Sequence, residues 1–459
     1  MTIQSELKDT PKRQLTLFDC ICIIMGIVIG AGIYETTPLI AQNLPGTLSL
    51  VGLFILGGVI SIIGALCYAE LATTYPKEGG DYVYLSKAYG RKTGFLFAWS
   101  VFWLIRPANI GALAYIFANY AVKIAPIGLG HYDYMAYASV SVILLTLVNV
   151  FGVSSGKWTQ NILTVVKVFG LLTVISVGLI WIVPADIIIY TRKVPTETSF
   201  YLAMILMFFT YGGWNNLAYV AAEIRNPEKN IFRALVLGTV AVTIIYILIN
   251  LAFINALGYM GMADSTSVAA DVMQQKLGKW GGTIISLLIC ITCLGNINGM
   301  IFTGARIYYA VGKNNRSYSW LGKWSSRHDA PLRALVIQAT VTLFLVIGMG
   351  FYEDSFKRLV IFSAPLHWFF LLLVSISLFI LRTREKGVAR IYRVHLYPLI
   401  PGIFCLTNLF MLYASVIYAY EHRYLEIYWI IPVLLLGLLL SNGKPHSGLI
   451  EQQENPERN

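Results

Sequence analysis

The chain has 459 residues, 57% of them hydrophobic and only 12% charged, with a mean hydropathy of +0.67. A soluble domain carries about 25% charged residues, so a soluble globular fold is excluded. The formal net charge of +11 would point to nucleic acid in a soluble protein; on the short connections of an apolar chain it reports membrane topology instead, and no nucleic-acid partner is expected.

Apolar runs long enough to cross a bilayer recur about twelve times, centred near residues 30, 60, 105, 142, 170, 210, 245, 295, 342, 370, 407 and 433. The first is too long for a cleavable signal peptide and lacks a small-residue cleavage site. With both ends placed in the cytoplasm, 24 of the 34 Lys and Arg residues fall in inner connections and 8 in outer ones. That asymmetry predicts a multi-pass protein of the cell (plasma or inner) membrane with cytoplasmic termini. Residues 1–14 and 442–459 read as polar tails, and 15–441 as one transmembrane domain with short connections. No phosphate loop or soluble module interrupts it, which removes ATPase, kinase and receptor-ectodomain readings.

Span 1 carries "GIVIGAGIYETTP", with Gly26, Gly30 and Gly32 in an apolar segment. Each glycine disfavours helix by roughly 1 kcal/mol relative to alanine. Span 6 repeats the anomaly: "MFFTYGGWNN" sets Gly212 and Gly213 between Tyr211 and Trp214. Two glycine-interrupted spans five apart indicate an inverted repeat, and such a pair is the best sequence pointer to a transporter binding site. Lipid cannot satisfy a broken backbone, so each break must line a cavity. At the first, the amides of Ala31, Gly32 and Ile33 suit a carboxylate; carbonyls near Val28, Ile29, Phe208 and Phe209 suit an ammonium. The competing reading is close helix packing through small residues.

The six cysteines, Cys20, Cys22, Cys67, Cys290, Cys293 and Cys405, all fall in apolar spans and read as packing thiols. No Cys/His cluster has zinc-like spacing, so neither metal nor cofactor is implied. Lys167 in span 5 is costly in a membrane and reads as functional, or as a side chain snorkelling to the surface. Arg106 in span 3 reads as paired within the bundle, with Glu70, Glu35 or backbone carbonyls as partners. Glu70, Asp81 and Glu223 lie near inner helix ends and read as gate or loop salt bridges. His367 reads as a hydrogen-bonding bundle residue or a proton relay. The absence of an acidic residue at either break argues against a dibasic or polyamine substrate.

At these segments the chain resembles the amino acid–polyamine–organocation superfamily, nearest to its L-type neutral amino acid branch and to prokaryotic members. The resemblance runs through "GIVIGAGIYETTP", "ALCYAELATTYPKEGGDYVYLSKAYG", "IRPANIGALAYIFANY", "TYGGWNNLAYVAAEIRNPEKNIFRAL", "GNINGMIFTGARIYYA" and "YRVHLYPLIPGIF". It implies an all-α integral membrane fold of twelve helices: a LeuT-like 5+5 inverted repeat (about 15–183 and 199–382) plus two helices (about 396–441). It places substrate contacts at Val28, Ile29, Gly30, Ala31 and Gly32, with Phe209 as a lid and Tyr211, Gly212, Gly213 and Trp214 at the second break. It also implies that Lys167 stands where sodium sits in sodium-coupled relatives, bonding carbonyls beside Gly26 and Ile27 and the Thr292 hydroxyl. Ala31 stands where serine is common, and Pro365 and His367 depart from the branch. The loop after span 3, "KIAPIGLGHYDYMAY", lacks the cysteine that links animal members to an ancillary glycoprotein, so no disulfide-linked subunit is expected. The resulting expectation is a sodium-independent exchanger of neutral amino acids working by alternating access. Its rivals are a proton-coupled symporter, a polyamine or cationic amino acid transporter, and a transport-like sensor. A channel lacks a charged or carbonyl-rich ring, and an enzyme lacks a nucleophile–base pair.

Overall fold

The computed structural model describes residues 12–180, 197–352 and 354–441. The end of the predicted first repeat, most of the N-terminal tail and the C-terminal tail from 442 lie outside the described residues.

Among the described residues, nine helices are long and apolar enough to cross a membrane, and a bent pair, Leu17–Val28 and Gly32–Gln42, makes a tenth. That pair is span 1. Spans 2 to 5 are Thr47–Thr74, Arg91–Ile124, Tyr132–Val150 and Val153–Ile180. Span 6 is the helix Glu197–Tyr211 followed by a 3-10 segment, Trp214–Glu223. Spans 7 to 11 are Pro227–Asp264, Trp280–Asn314, Leu332–Met349, Ser355–Arg384 and Leu399–Glu421, and a shorter apolar element, Leu425–Leu440, is span 12. Two short helices, Asp81–Tyr89 and Val268–Leu277, sit in connections. The architecture is the all-α bundle expected, with its interruptions in spans 1 and 6.

Local sequence explains where regular helix fails. Span 3 widens into a π-helical turn at Val101–Ile105, immediately before Arg106 and Pro107. The proline has no N–H for the preceding turn and its ring crowds the carbonyl four residues back, so the wider turn relieves both problems. Span 7 kinks at Gly258, which sits at φ 69°. Span 1 parts at Ile29–Gly30–Ala31 and bends by 41°.

Spans 3 and 8 have 78% of their most apolar stretches buried and span 10 has 72%, against 33% for spans 5 and 11, while the two broken spans pack directly on each other and on span 7. The connection end of the bundle that carries the Asp81–Tyr89 helix is tied by charge. Arg306 donates through Nε to Glu223 Oε1 at 2.7 Å, both side chains about 1% exposed. Glu70 takes Arg382, the Val394 amide (2.7 Å) and, at 3.6 Å, Arg390. The Gln14 and Leu15 amides donate to Glu223 O, and Arg225 N–H returns to Leu15 O at 2.9 Å. Breaking a buried pair such as Arg306–Glu223 costs about 3–5 kcal/mol because the survivor is left uncompensated. Glu70 and Glu223 are thus in ion pairs, but Asp81 is in none among the described residues: it accepts from the Tyr219 hydroxyl at 2.8 Å. Nor does Arg106 reach Glu70 or Glu35. It donates to Asn216 Oδ1 at 2.7 Å, because the span 6 break swings a polar side chain into its reach.

Candidate functional site: a cavity between two broken helices

The break in span 1 presents four amides, of Gly30, Ala31, Gly32 and Ile33, none of which donates a backbone hydrogen bond among the described residues. They head the helix Gly32–Gln42, where the aligned peptide dipoles also favour an anion. Gly30 is needed for close approach: a Cβ there would lie 2.2 Å from Asn296 Nδ2 of span 8. Gly26 is similar, with Gln160 Nε2 of span 5 at 1.9 Å from such a Cβ. In span 6 the device is different. Gly213 adopts φ +119°, and a Cβ on it would also meet Ile27 Cγ2 of span 1 at 2.5 Å.

Between the breaks lies a cavity that offers about 110 Å³ to the centres of water-sized molecules. Span 1 contributes Ile27, Val28, Gly30 and Gly32; span 6 contributes Ile205, Phe208, Phe209, Thr210, Gly212, Gly213, Asn215, Asn216 and Tyr219. Spans 3 and 10 close the other side with stripes at helical spacing, Phe97, Val101, Ile105, Asn109 and Leu113 facing Val360, Ser363, Ala364, His367 and Leu371. Of the residues read from sequence, Ile29, Ala31, Ile33, Tyr211 and Trp214 do not line this cavity. Tyr211 donates to Phe54 O at 2.8 Å, and Trp214 packs edge-on against Tyr68 with centroids 5.1 Å apart. Phe209 stacks edge-on with Phe356 of span 10, 5.7 Å between centroids.

Three carbonyls assigned to an ammonium from sequence already have partners, Phe209 O among them through the Gly212 N–H at 3.1 Å. Val28 O accepts from the Tyr246 hydroxyl at 2.6 Å, and the same hydroxyl reaches Thr210 O at 3.0 Å, pinning both breaks to span 7. Ile29 O accepts from Lys167. The Lys167 ammonium is 1% exposed and held by Gly26 O (2.5 Å), Ile29 O (2.9 Å) and Asn296 Oδ1 (2.8 Å). Lys167 therefore does not snorkel. Its third partner is Asn296 rather than Thr292, whose buried hydroxyl has no partner among the described residues, and the Ile27 carbonyl is not used. Three oxygens around one fixed cation are what a buried ammonium needs, since its three donors would otherwise go unmet.

Sequence reading missed Tyr246, Asn296, Asn216 and Asp81 as cavity or break residues. The polar pairs Asn215/Asn216 and Asn296/Asn298 in otherwise apolar spans are the signal that would have found two of them. Asp81 reads from sequence as a gate or loop salt bridge because it belongs to a connection, yet it lines the cavity and is 3% exposed. Burial pushes its carboxyl up to about 6, against the Tyr219 hydrogen bond and the Arg106 charge, which pull the other way.

A helical bundle in which spans 1 and 6, five apart, both break around a cavity is the arrangement of a membrane transporter of the inverted-repeat class. The chain belongs to the amino acid permease family, of the amino acid–polyamine–organocation superfamily, whose family model matches residues 15–439. It is 29% identical over 414 residues to the serine/threonine exchanger SteT of Bacillus subtilis, covering 88% of this chain and 92% of that one. It is 27% identical over 449 residues to the b(0,+)-type amino acid transporter 1 of Mus musculus (95% and 89% covered). It is 28% identical over 417 residues to the large neutral amino acids transporter small subunit 2 of Oryctolagus cuniculus (88% and 76% covered). The family and these relatives are transporters of amino acids, not enzymes.

Proposed function

We propose that the protein is a sodium-independent exchanger of neutral amino acids in the cell membrane, with both termini cytoplasmic and without a disulfide-linked subunit. The observation that carries this reading is Lys167, whose ammonium ties span 5 to the span 1 break and to span 8. A built-in cation at that junction supplies the charge that sodium-coupled relatives take from solution. Exchange is favoured by the relatives, one of which is named an exchanger.

The substrate α-carboxylate lies against the span 1 break, where Gly30 and Gly32 line the cavity, and its ammonium against the Phe208 carbonyl at the end of the first span 6 helix. Phe209 covers it. A neutral substrate is favoured by the cavity carrying one cation, Arg106, and one carboxylate, Asp81, so that a charged side chain of either sign meets a group of like charge. Spans 1, 2, 6 and 7 rock against 3, 4, 8 and 9, with Tyr246 moving the two breaks together.

A second reading, proton-coupled symport, is favoured by Lys167 having no carboxylate partner among the described residues, which leaves it free to give up its proton. Purified protein in sodium-free liposomes separates the two. Uptake of labelled neutral amino acids that requires unlabelled amino acid inside supports exchange. Uptake driven by an inward proton gradient alone replaces it with symport, and a strict requirement for added sodium overturns both.

A further inference from the structure

We infer that the cavity wall between spans 3 and 10 is a subsite for a neutral, hydrogen-bonding side chain, a hydroxyl or carboxamide, read by Asn109, Ser363 and His367. The inference rests on the cavity being an amino acid site, as proposed above.

Ser363 and His367 are four residues apart on span 10 and so share one helix face. They look across the cavity at Asn109 of span 3; the Ser363 hydroxyl lies 3.2 Å from Val360 O of its own helix and reaches Asn109 Oδ1 only at a long 3.4 Å. The stitch is loose and incomplete. The Asn109 amide nitrogen donates to no described residue, and the His367 ring makes an edge contact with Trp368 but no hydrogen bond to a described residue. Two polar groups therefore face the cavity with capacity to spare, beside the apolar Val360 and Ala364.

An apolar substrate side chain would cover these groups and leave them unpaired in a low-dielectric site, the costly outcome. A hydroxyl or carboxamide both donates and accepts, so it can meet an amide N–H, a serine hydroxyl and an imidazole together. Charged side chains fit less well. Arg106 lies one turn from Asn109 and opposes a cation. It does not reach out to an anion, because it is turned to Asn216 and its Nε lies against Gly304, 2.9 Å from where a Cβ there would stand. Asp81 in the same cavity opposes an anion.

The test is a competition panel on the full chain in sodium-free liposomes preloaded with a mixture of neutral amino acids. Labelled threonine and glutamine are measured against leucine, phenylalanine, lysine and glutamate. The expected result is a preference for threonine or glutamine over leucine by about tenfold or more, the scale of one satisfied against one orphaned hydrogen bond. In Asn109→Val and in His367→Leu the threonine-to-leucine ratio is expected to fall by about tenfold, a ratio that general loss of protein does not move. Leucine or phenylalanine taken up as well as threonine and glutamine, or a preference for lysine or glutamate, overturns the inference and leaves the transporter reading standing. So does a ratio unchanged in both variants. No uptake of any amino acid, by exchange or gradient, overturns the transporter reading and the inference with it.

Discussion

Spans 1 and 6 are both broken in mid-bundle, but the two breaks are held in different ways. In span 6 the break is intrinsic: Gly213 takes a backbone conformation, φ +119°, that an L side chain rarely adopts. In span 1 no residue of the break has positive φ. Its glycines matter because spans 5 and 8 press against them, and the exposed carbonyls are tied down by Lys167 and Tyr246 from elsewhere. One break is written locally; the other is imposed by neighbours. Family similarity in the glycines hides this, since glycine serves chain conformation at one site and close approach at the other.

The comparison can be broken at its strongest point first. Lys167→Met leaves the Gly26 and Ile29 carbonyls and the Asn296 amide oxygen without their donor. At about 1–3 kcal/mol for each orphaned acceptor, transport in liposomes is expected to fall by roughly 100-fold and the melting temperature to drop. Gly213→Ala attacks the other break directly. The forced backbone conformation alone costs about 1–3 kcal/mol, and the contact with Ile27 adds to it, so uptake and thermal stability should fall together. Gly30→Ala should instead act through Asn296, and pairing it with Asn296→Ala should recover part of its stability loss, which a locally determined break would not allow.

Tyr246→Phe sharpens the comparison, because this hydroxyl is the link between the breaks. Loss of its bonds to Val28 O and Thr210 O is expected to lower stability by about 1–2 kcal/mol, and turnover more than substrate affinity if the two breaks move as a unit. Smaller still is a pH effect confined to the span 6 side. Burial holds Asp81 at about 6, above the 3.8 of the free carboxyl, so the folded protein binds the proton more tightly than the unfolded chain. That stability is fully present below about pH 4 and is lost as pH rises through about 6, with a slope of at most about 1.4 kcal/mol per pH unit. Melting curves of Asp81→Asn across pH 4–7 should lack this slope. The smallest effect is expected for Thr292→Val: its hydroxyl is buried and unpartnered, so stability and uptake should stay within about 0.5 kcal/mol and twofold of the parent. A large loss would restore Thr292 to the Lys167 site.

What the amino-acid sequence determined by itself is the bundle and its two anomalies. Hydropathy over 20-residue windows is a local property, and so is the weakness that Gly26, Gly30, Gly32, Gly212 and Gly213 place inside apolar segments; both could be read without neighbours. Even the odd Lys167 was legible, because a cation in an apolar run is anomalous wherever the run packs. Tertiary structure alone decided the partners. Lys167 chose Asn296 over Thr292, though both lie on one face of span 8 a turn apart, because its ammonium ends level with Asn296 and leaves the Thr292 hydroxyl buried and without a described partner. Arg106 chose Asn216, and Asp81, 25 residues before it in the chain, came to share its cavity. Val28 and Ile29 lost the role of free acceptors once Tyr246 and Lys167 reached them. The physical reason is common to all of these: hydrogen bonds form within about 3 Å and at fixed angles, and only the packed rotation and depth of each helix decide which polar groups come that close.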